Sequence, residues 1–180
     1  LLALLAWLGA RQTDHAPVAH AATRLRLPAL LAAIMLALQI ALGGWVSSNY
    51  AALACTDFPL CQGTLLPTMD FAHGFTLWRD LGKTASGEFL PFPALTAIHW
   101  THRVFAFAVI ALVAWVALKA RKIGGLQRIA HWLLAGIALQ FMTGVLTVFL
   151  DFPLALAVLH NGGAAFLVLL LAMLNYKARL

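Results

Sequence analysis

Charge is scarce in this chain. Asp, Glu, Lys and Arg make up 10% of its 180 residues, where a soluble domain carries about 25%. Hydrophobic residues reach 63%, against about 45–50% in soluble domains, and mean hydropathy is +0.90. That excess is too large for one buried core and excludes a soluble globular fold. The twelve Lys and Arg outnumber six acids, giving a net charge of +6 and a pI near 10.0. They form no recognition helix, which argues against a nucleic-acid-binding module. Strand-like alternation is missing, so a closed barrel is excluded and the helix remains as the way to satisfy the backbone in lipid. The chain does not begin with Met, and its first apolar run lacks the basic n-region and small-residue cleavage site of a signal peptide.

What is present is a set of long apolar runs. Four can span, near Leu27–Tyr50, Pro93–Leu118, Ile129–Leu150 and Pro153–Tyr176. Each offers roughly 20 or more residues, enough for a hydrocarbon core of ~30 Å. Leu1–Ala10 is shorter and reads as the last half of a helix that begins upstream. The expected fold is therefore an all-α integral membrane protein. It comprises a truncated N-terminal helix (1–10), a connector (11–26), a four-helix transmembrane bundle (27–176) with a long loop (51–92), and a tail (177–180).

The few charges are sorted by segment. The connector carries Arg11, Arg24 and Arg26 against Asp14; Lys119, Arg121, Lys122 and Arg128 fill the 119–128 loop; Lys177 and Arg179 end the chain. Loop 51–92 is acidic, with Asp57, Asp70, Asp80 and Glu88 against Arg79 and Lys83, and Asp151 sits in a tight turn. The positive-inside rule puts the basic segments in the cytoplasm and loop 51–92 in the periplasm, as expected for a bacterial inner membrane. The basic pI then reports topology and says nothing about an acidic partner.

Cys55 and Cys61 both fall in loop 51–92, with Pro59 between them favouring a bend. A disulfide is permitted there, either as a structural staple or as a redox-active pair; the spacing is longer than C-x-x-C, which favours the staple. Phe71, Phe75, Trp78 and Phe89 suggest an interfacial cover over the bundle, with a short amphipathic helix around Met69–Leu81.

Ionisable groups inside a span are costly and point to function. Of seven histidines, His15, His20 and His73 fall in connecting segments and His131 near a helix end. His99, His102 and His160 fall within spans. His102 and His160 lie on different helices, each at a depth of roughly 10–14 Å from the acidic side. A single such histidine is more often a hydrogen-bonded structural residue; two at one depth can fill both axial positions of a haem iron. Zinc would want more ligands than this depth supplies. Gly162 and Gly163 after His160, and the notch at Gly43-Gly44, leave room for a flat ring. Arg103 is placed to meet a propionate. His99, one turn from His102, lines the site, bonds a propionate or stands in as ligand. Leu38-Gln39-Ile40-Ala41-Leu42-Gly43 matches Leu139-Gln140-Phe141-Met142-Thr143-Gly144 at Leu, Gln and Gly. A two-helix unit used twice would set the two histidines across a pseudo-twofold axis.

These residues resemble a known family. Gly43 to Cys55 (GGWVSSNYAALAC), Asp57-Phe58-Pro59 with Cys61, His102-Arg103 and Leu159-His160-Asn161-Gly162-Gly163 are similar to the C-terminal half of haem A synthase. The resemblance implies an eight-helix membrane enzyme of two similar halves that oxidises a methyl group of haem O to the formyl group of haem A. It implies that His102 and His160 ligate a haem b, that Cys55 and Cys61 form a disulfide, and that this half passes electrons to or from the other. An acidic residue precedes the family's N-terminal His-Arg motif by three positions; here that position is His99, as suits the cofactor half. Substrate haem O and the catalytic residues are then expected upstream of Leu1. The implied partners are the bilayer, the other half-bundle, a haem O-producing enzyme and an electron donor. Three alternatives predict something else: a free-standing bis-His b-type cytochrome, a haem-free transporter or assembly protein relaying protons, and disulfide exchange with a quinone.

Overall fold

The computed structural model describes residues 1–12 and 20–178, without the side chains of residues 20 and 21. Asp14, His15 and Arg179 lie outside the described residues, as does the side chain of His20. The described residues form six α-helices in order: α1 (Leu2–Arg11), α2 (Arg26–Ser48), α3 (Phe71–Gly74), α4 (Phe92–Ala120), α5 (Gln127–Phe149) and α6 (Leu154–Lys177). A 3-10 turn, His20–Leu25, leads into α2. Helices α2, α4, α5 and α6 are long and apolar enough to cross a membrane, so the protein is an all-helical integral membrane protein. Proline stands in the first turn of α4 and just before α6, where a missing N–H costs nothing.

Helix α2 packs against α4, α4 against α5, α5 against α6 and α6 back against α2, closing a four-helix ring, with α1 outside on α6. Helices α4 and α6 are therefore diagonal partners, as are α2 and α5. The ring is built from two copies of one hairpin. Helices α2 and α5 each have 23 residues. A constant offset carries the buried Leu25, Ala29, Ala32 and Leu36 onto the buried Leu126, Ala130, Leu133 and Ile137. Likewise Val109, Val113 and Val116 of α4 correspond to Leu167, Leu171 and Leu174 of α6. The copies differ mainly in their connection: a long loop joins α2 to α4, and a tight turn joins α5 to α6.

These residues make one continuous apolar core confined to the end of the bundle that carries the basic segments. Alanines with no exposure at 29, 32, 117, 120 and 130 let the backbones approach closely. Gly136 does the same between α5 and α6, where an added Cβ would stand 2.7 Å from a methyl of Leu167. Towards the loop end the core stops at Leu36, Val109, Ile137 and Leu167, yet the inward stripes continue with polar residues. Gln39 follows Leu36 and Gln140 follows Ile137; His102 stands one heptad from Val109 and His160 one heptad from Leu167. The polar site is thus the next layer of the same packing pattern.

Loop 51–92 differs from expectation in one element. The amphipathic helix foreseen around Met69–Leu81 is limited to α3. Asp70 caps it, accepting from the His73 amide at 3.0 Å. Gly74 ends it against α4, where a Cβ would lie 3.0 Å from the Ala94 carbonyl. Beyond it Arg79 pins the chain, donating to Asn49 Oδ1 at 2.8 Å and lying over the Trp45 ring at 5.3 Å. Trp78 and Phe89 are 92% and 86% exposed, so neither covers the bundle. Phe75 does pack inward, beside Val46, Ala51, Leu90, Ala94 and Ile98.

Candidate functional site

Each histidine is held by the neighbouring helix of its own hairpin, and by equivalent residues. Gln39 of α2 donates to the backbone carbonyl of His102 at 3.1 Å; Gln140 of α5 donates to that of His160 at 2.8 Å. One turn on, Gly43 leaves the space that His102 occupies, since a Cβ there would lie 3.1 Å from the ring carbon Cε1. Gly144 does this for His160, at 3.3 Å. The repeat read in the sequence is therefore a working part: the glutamine fixes the helix backbone at the histidine, and the glycine seats the ring. His102 and His160 stand on diagonal helices.

The ring nitrogens are treated differently. Thr143 Oγ1 lies 2.8 Å from His160 Nδ1 while its hydroxyl reaches the Leu139 carbonyl at 2.9 Å. At His102 the Gln39 amide nitrogen stands 3.1 Å from Nδ1 and 3.4 Å from Nε2. Gln39 Oε1 is buried without a partner. An orphaned acceptor beside a doubly approached imidazole marks a polar set that is incomplete by itself. The glycine seats, the open Nε2 of His160 and this orphan fit two axial ligands of a flat metal macrocycle. Among the described residues no group of three or more His, Cys, Asp or Glu could hold a metal ion.

The other site residues are used by the loop. Arg103 donates through Nε to His99 Nε2 at 3.1 Å, through Nη1 to the carbonyls of Asp57 (2.7 Å) and Leu60 (3.1 Å), and through Nη2 to that of Cys55 (2.5 Å). These contacts leave one guanidinium N–H of the five for anything else. His99, 5% exposed, faces the Cys55 amide at 3.4 Å and the Ala51 carbonyl. It is committed to the loop rather than presented beside His102. The sulfurs of Cys55 and Cys61 lie at bonding distance, with Cα atoms 4.7 Å apart. Asp57 closes the knot, accepting from the amides of Gln62 (2.7 Å) and Gly63 (2.8 Å). The Gly63 N–H above all holds its carboxyl below the ordinary carboxylate range. Gln62 ties the loop back to Thr96 of α4 at 2.8 Å.

The glycines after His160 divide. Gly162 has open space where a Cβ would be, whereas at Gly163 that Cβ would overlap the Gln140 amide nitrogen. Gly163 makes room for Gln140, and Gly162 lies on the open side. His73 is exposed and paired with Asp70 at 2.6 Å, and His131 is exposed on α5. The residues missed as site components were Gln39, Gln140 and Thr143, although the first two were visible in register as a repeat.

A family profile described as cytochrome oxidase assembly protein (COX15-CtaA) matches residues 1–172. The chain is 39% identical over 150 residues to a haem A synthase of Shewanella oneidensis, covering 82% of this chain and 45% of that protein. It is 31% identical to one from Rhodopseudomonas palustris, over 98% of this chain and 46% of the relative. A third, from a Methylobacterium species, is 35% identical over 100% of this chain and 47% of its own length. The chain thus spans just under half the length of these curated relatives. No solved structure matches it. Similarity of this extent, running through both histidine cradles and the cysteine loop, makes the chain a member of the haem A synthase family of cytochrome oxidase assembly proteins.

Proposed function

We propose that this chain is the haem b-carrying half of a haem A synthase-type oxidoreductase, which oxidises a methyl group of haem O to the formyl group of haem A. The observation that carries this reading is the pair of equivalent cradles. Gln39 with Gly43, and Gln140 with Gly144, seat His102 and His160 on diagonal helices at the level where the apolar core stops. A haem iron bound there supplies reversible one-electron transfer. The chain holds both imidazoles, excludes water through the packed core on one side, and closes the other side with the Arg103-pinned loop. In this reading the loop faces the periplasm and the basic segments the cytoplasm, following the charge asymmetry. The substrate site belongs to a partner half-bundle, served by a haem O-producing enzyme and an electron donor. Absorption and electron paramagnetic resonance spectra of His102→Ala and His160→Ala test it. Loss of the six-coordinate low-spin signal is expected in each, and an unchanged signal in both rejects the assignment.

A further inference from the structure

Gln39 and Gly43 have equivalents in Gln140 and Gly144, but one residue that touches an imidazole has no polar counterpart. Thr143 lies one residue before Gly144; its counterpart before Gly43 is Leu42, which has no hydrogen-bonding side chain. From this asymmetry, and resting on the haem reading above, we infer that Thr143 is a positioning residue. It presets His160 as the tighter of the two axial ligands, while His102 remains the adaptable one.

Proton counting supports the assignment. A threonine hydroxyl has a single proton, and the back-bond typical of a helical threonine places it on the α5 backbone, with the Leu139 carbonyl at 2.9 Å and that of Gln140 at 3.2 Å. The oxygen therefore accepts from the imidazole 2.8 Å away, which puts the ring proton of His160 on Nδ1. Nε2 is left with its lone pair in the ring plane, the form in which a histidine binds a metal. A hydrogen bond from Nδ1–H fixes that tautomer and raises ligand basicity. Thr143 is 2% exposed, so no solvent competes for this bond.

His102 has no such arrangement. Gln39 Nε2 lies 3.1 Å from Nδ1 and 3.4 Å from Nε2, distances that set it over the ring face rather than on either in-plane lone pair, while Oε1 is buried and unpartnered. Gln39 therefore fixes neither tautomer of the His102 ring. Oε1 becomes an acceptor for Nδ1–H only when the Gln39 amide turns, a rearrangement that ligation at His160 does not need.

The test measures haem retention and the low-spin signature of the protein purified in detergent with haem bound. Thr143→Val, which keeps the shape and removes the acceptor, is expected to weaken retention about tenfold or more; Thr143→Ser restores it. His102→Ala is expected to keep a five-coordinate haem, whereas His160→Ala releases it. Unchanged retention and spectrum in Thr143→Val overturn the inference. If that variant fails to fold, the single-histidine pair decides, and equal loss in both overturns it. A parent protein with no Soret band rejects the haem reading itself, a result distinct from either.

Discussion

Arg103 and Cys55 are joined by a 2.5 Å hydrogen bond from guanidinium to peptide carbonyl, so the cysteine loop hangs from the helical turn that carries His102. The same fork holds the carbonyls of Asp57 and Leu60. Arg103→Ala strands all three acceptors, at a cost of about 2–3 kcal/mol. Arg103→Lys recovers only part of this, since a point charge cannot span a fork. Thermal unfolding in detergent and proteolysis of the loop measure it; parent-like melting and protection in both variants would refute the clamp.

Reducing the Cys55–Cys61 bond removes a short cross-link, with a sequence separation of 6. Loop-closure entropy for so short a ring is worth about 2 kcal/mol. The carbonyl clamp stays in place, so Cys55→Ser with Cys61→Ser is expected to lower the melting temperature while leaving the haem spectrum intact. Loss of the low-spin signal in the double serine variant would instead tie the cross-link to the histidine site.

Adjacent glycines give a sharper contrast. At Gly163 an added Cβ overlaps the Gln140 amide, and at Gly162 it meets nothing within 4 Å. Gly163→Ala is expected to break the Gln140–His160 bond and cost about 1–3 kcal/mol. Gly162→Ala is expected to be neutral or stabilising by up to about 1 kcal/mol from helix propensity. Equal melting temperatures for the two variants would show that Gln140 relaxes without cost.

Asp57 makes the loop sensitive to acid. Its folded carboxyl titrates below the ordinary value, first because of the Gly63 amide. The stability it contributes is therefore present above the ordinary Asp value and is lost as pH falls through the lowered one. Loop protection measured by proteolysis resistant to pH, or by hydrogen exchange, is expected to hold at neutral pH and fall in strong acid. Asp57→Asn should weaken protection at neutral pH and flatten this step; a parent-like acid step in the variant would place the titrating group elsewhere.

The spans were legible because lipid leaves the backbone one solution and because charges mark the ends of apolar runs. The depth of His102 and His160 followed from counting residues into each helix. Their cradles were only half legible. Gln39 and Gly43 matched Gln140 and Gly144 in register, but a glutamine reaching a carbonyl 63 residues away leaves no local pattern. Arg103 was read as a propionate partner because a buried cation asks for a carboxylate, and peptide carbonyls, which any residue supplies, cannot be seen in a sequence. The helix expected around Met69–Leu81 failed for a similar reason: periodicity does not reveal that Gly74 abuts Ala94.

The uneven distribution of the apolar core has a mechanical consequence. Two stiff hairpins share one core at the basic end, where Leu36, Val113 and Val116 of the first join Leu133, Leu171 and Leu174 of the second, while the buried cluster at the loop end belongs to the first hairpin and its loop. Such a body behaves like tongs with the fulcrum at the basic end. Splaying the jaws around His102 and His160 means parting Phe141 from Phe58 and Phe107, whereas separating the handles means dismantling the core.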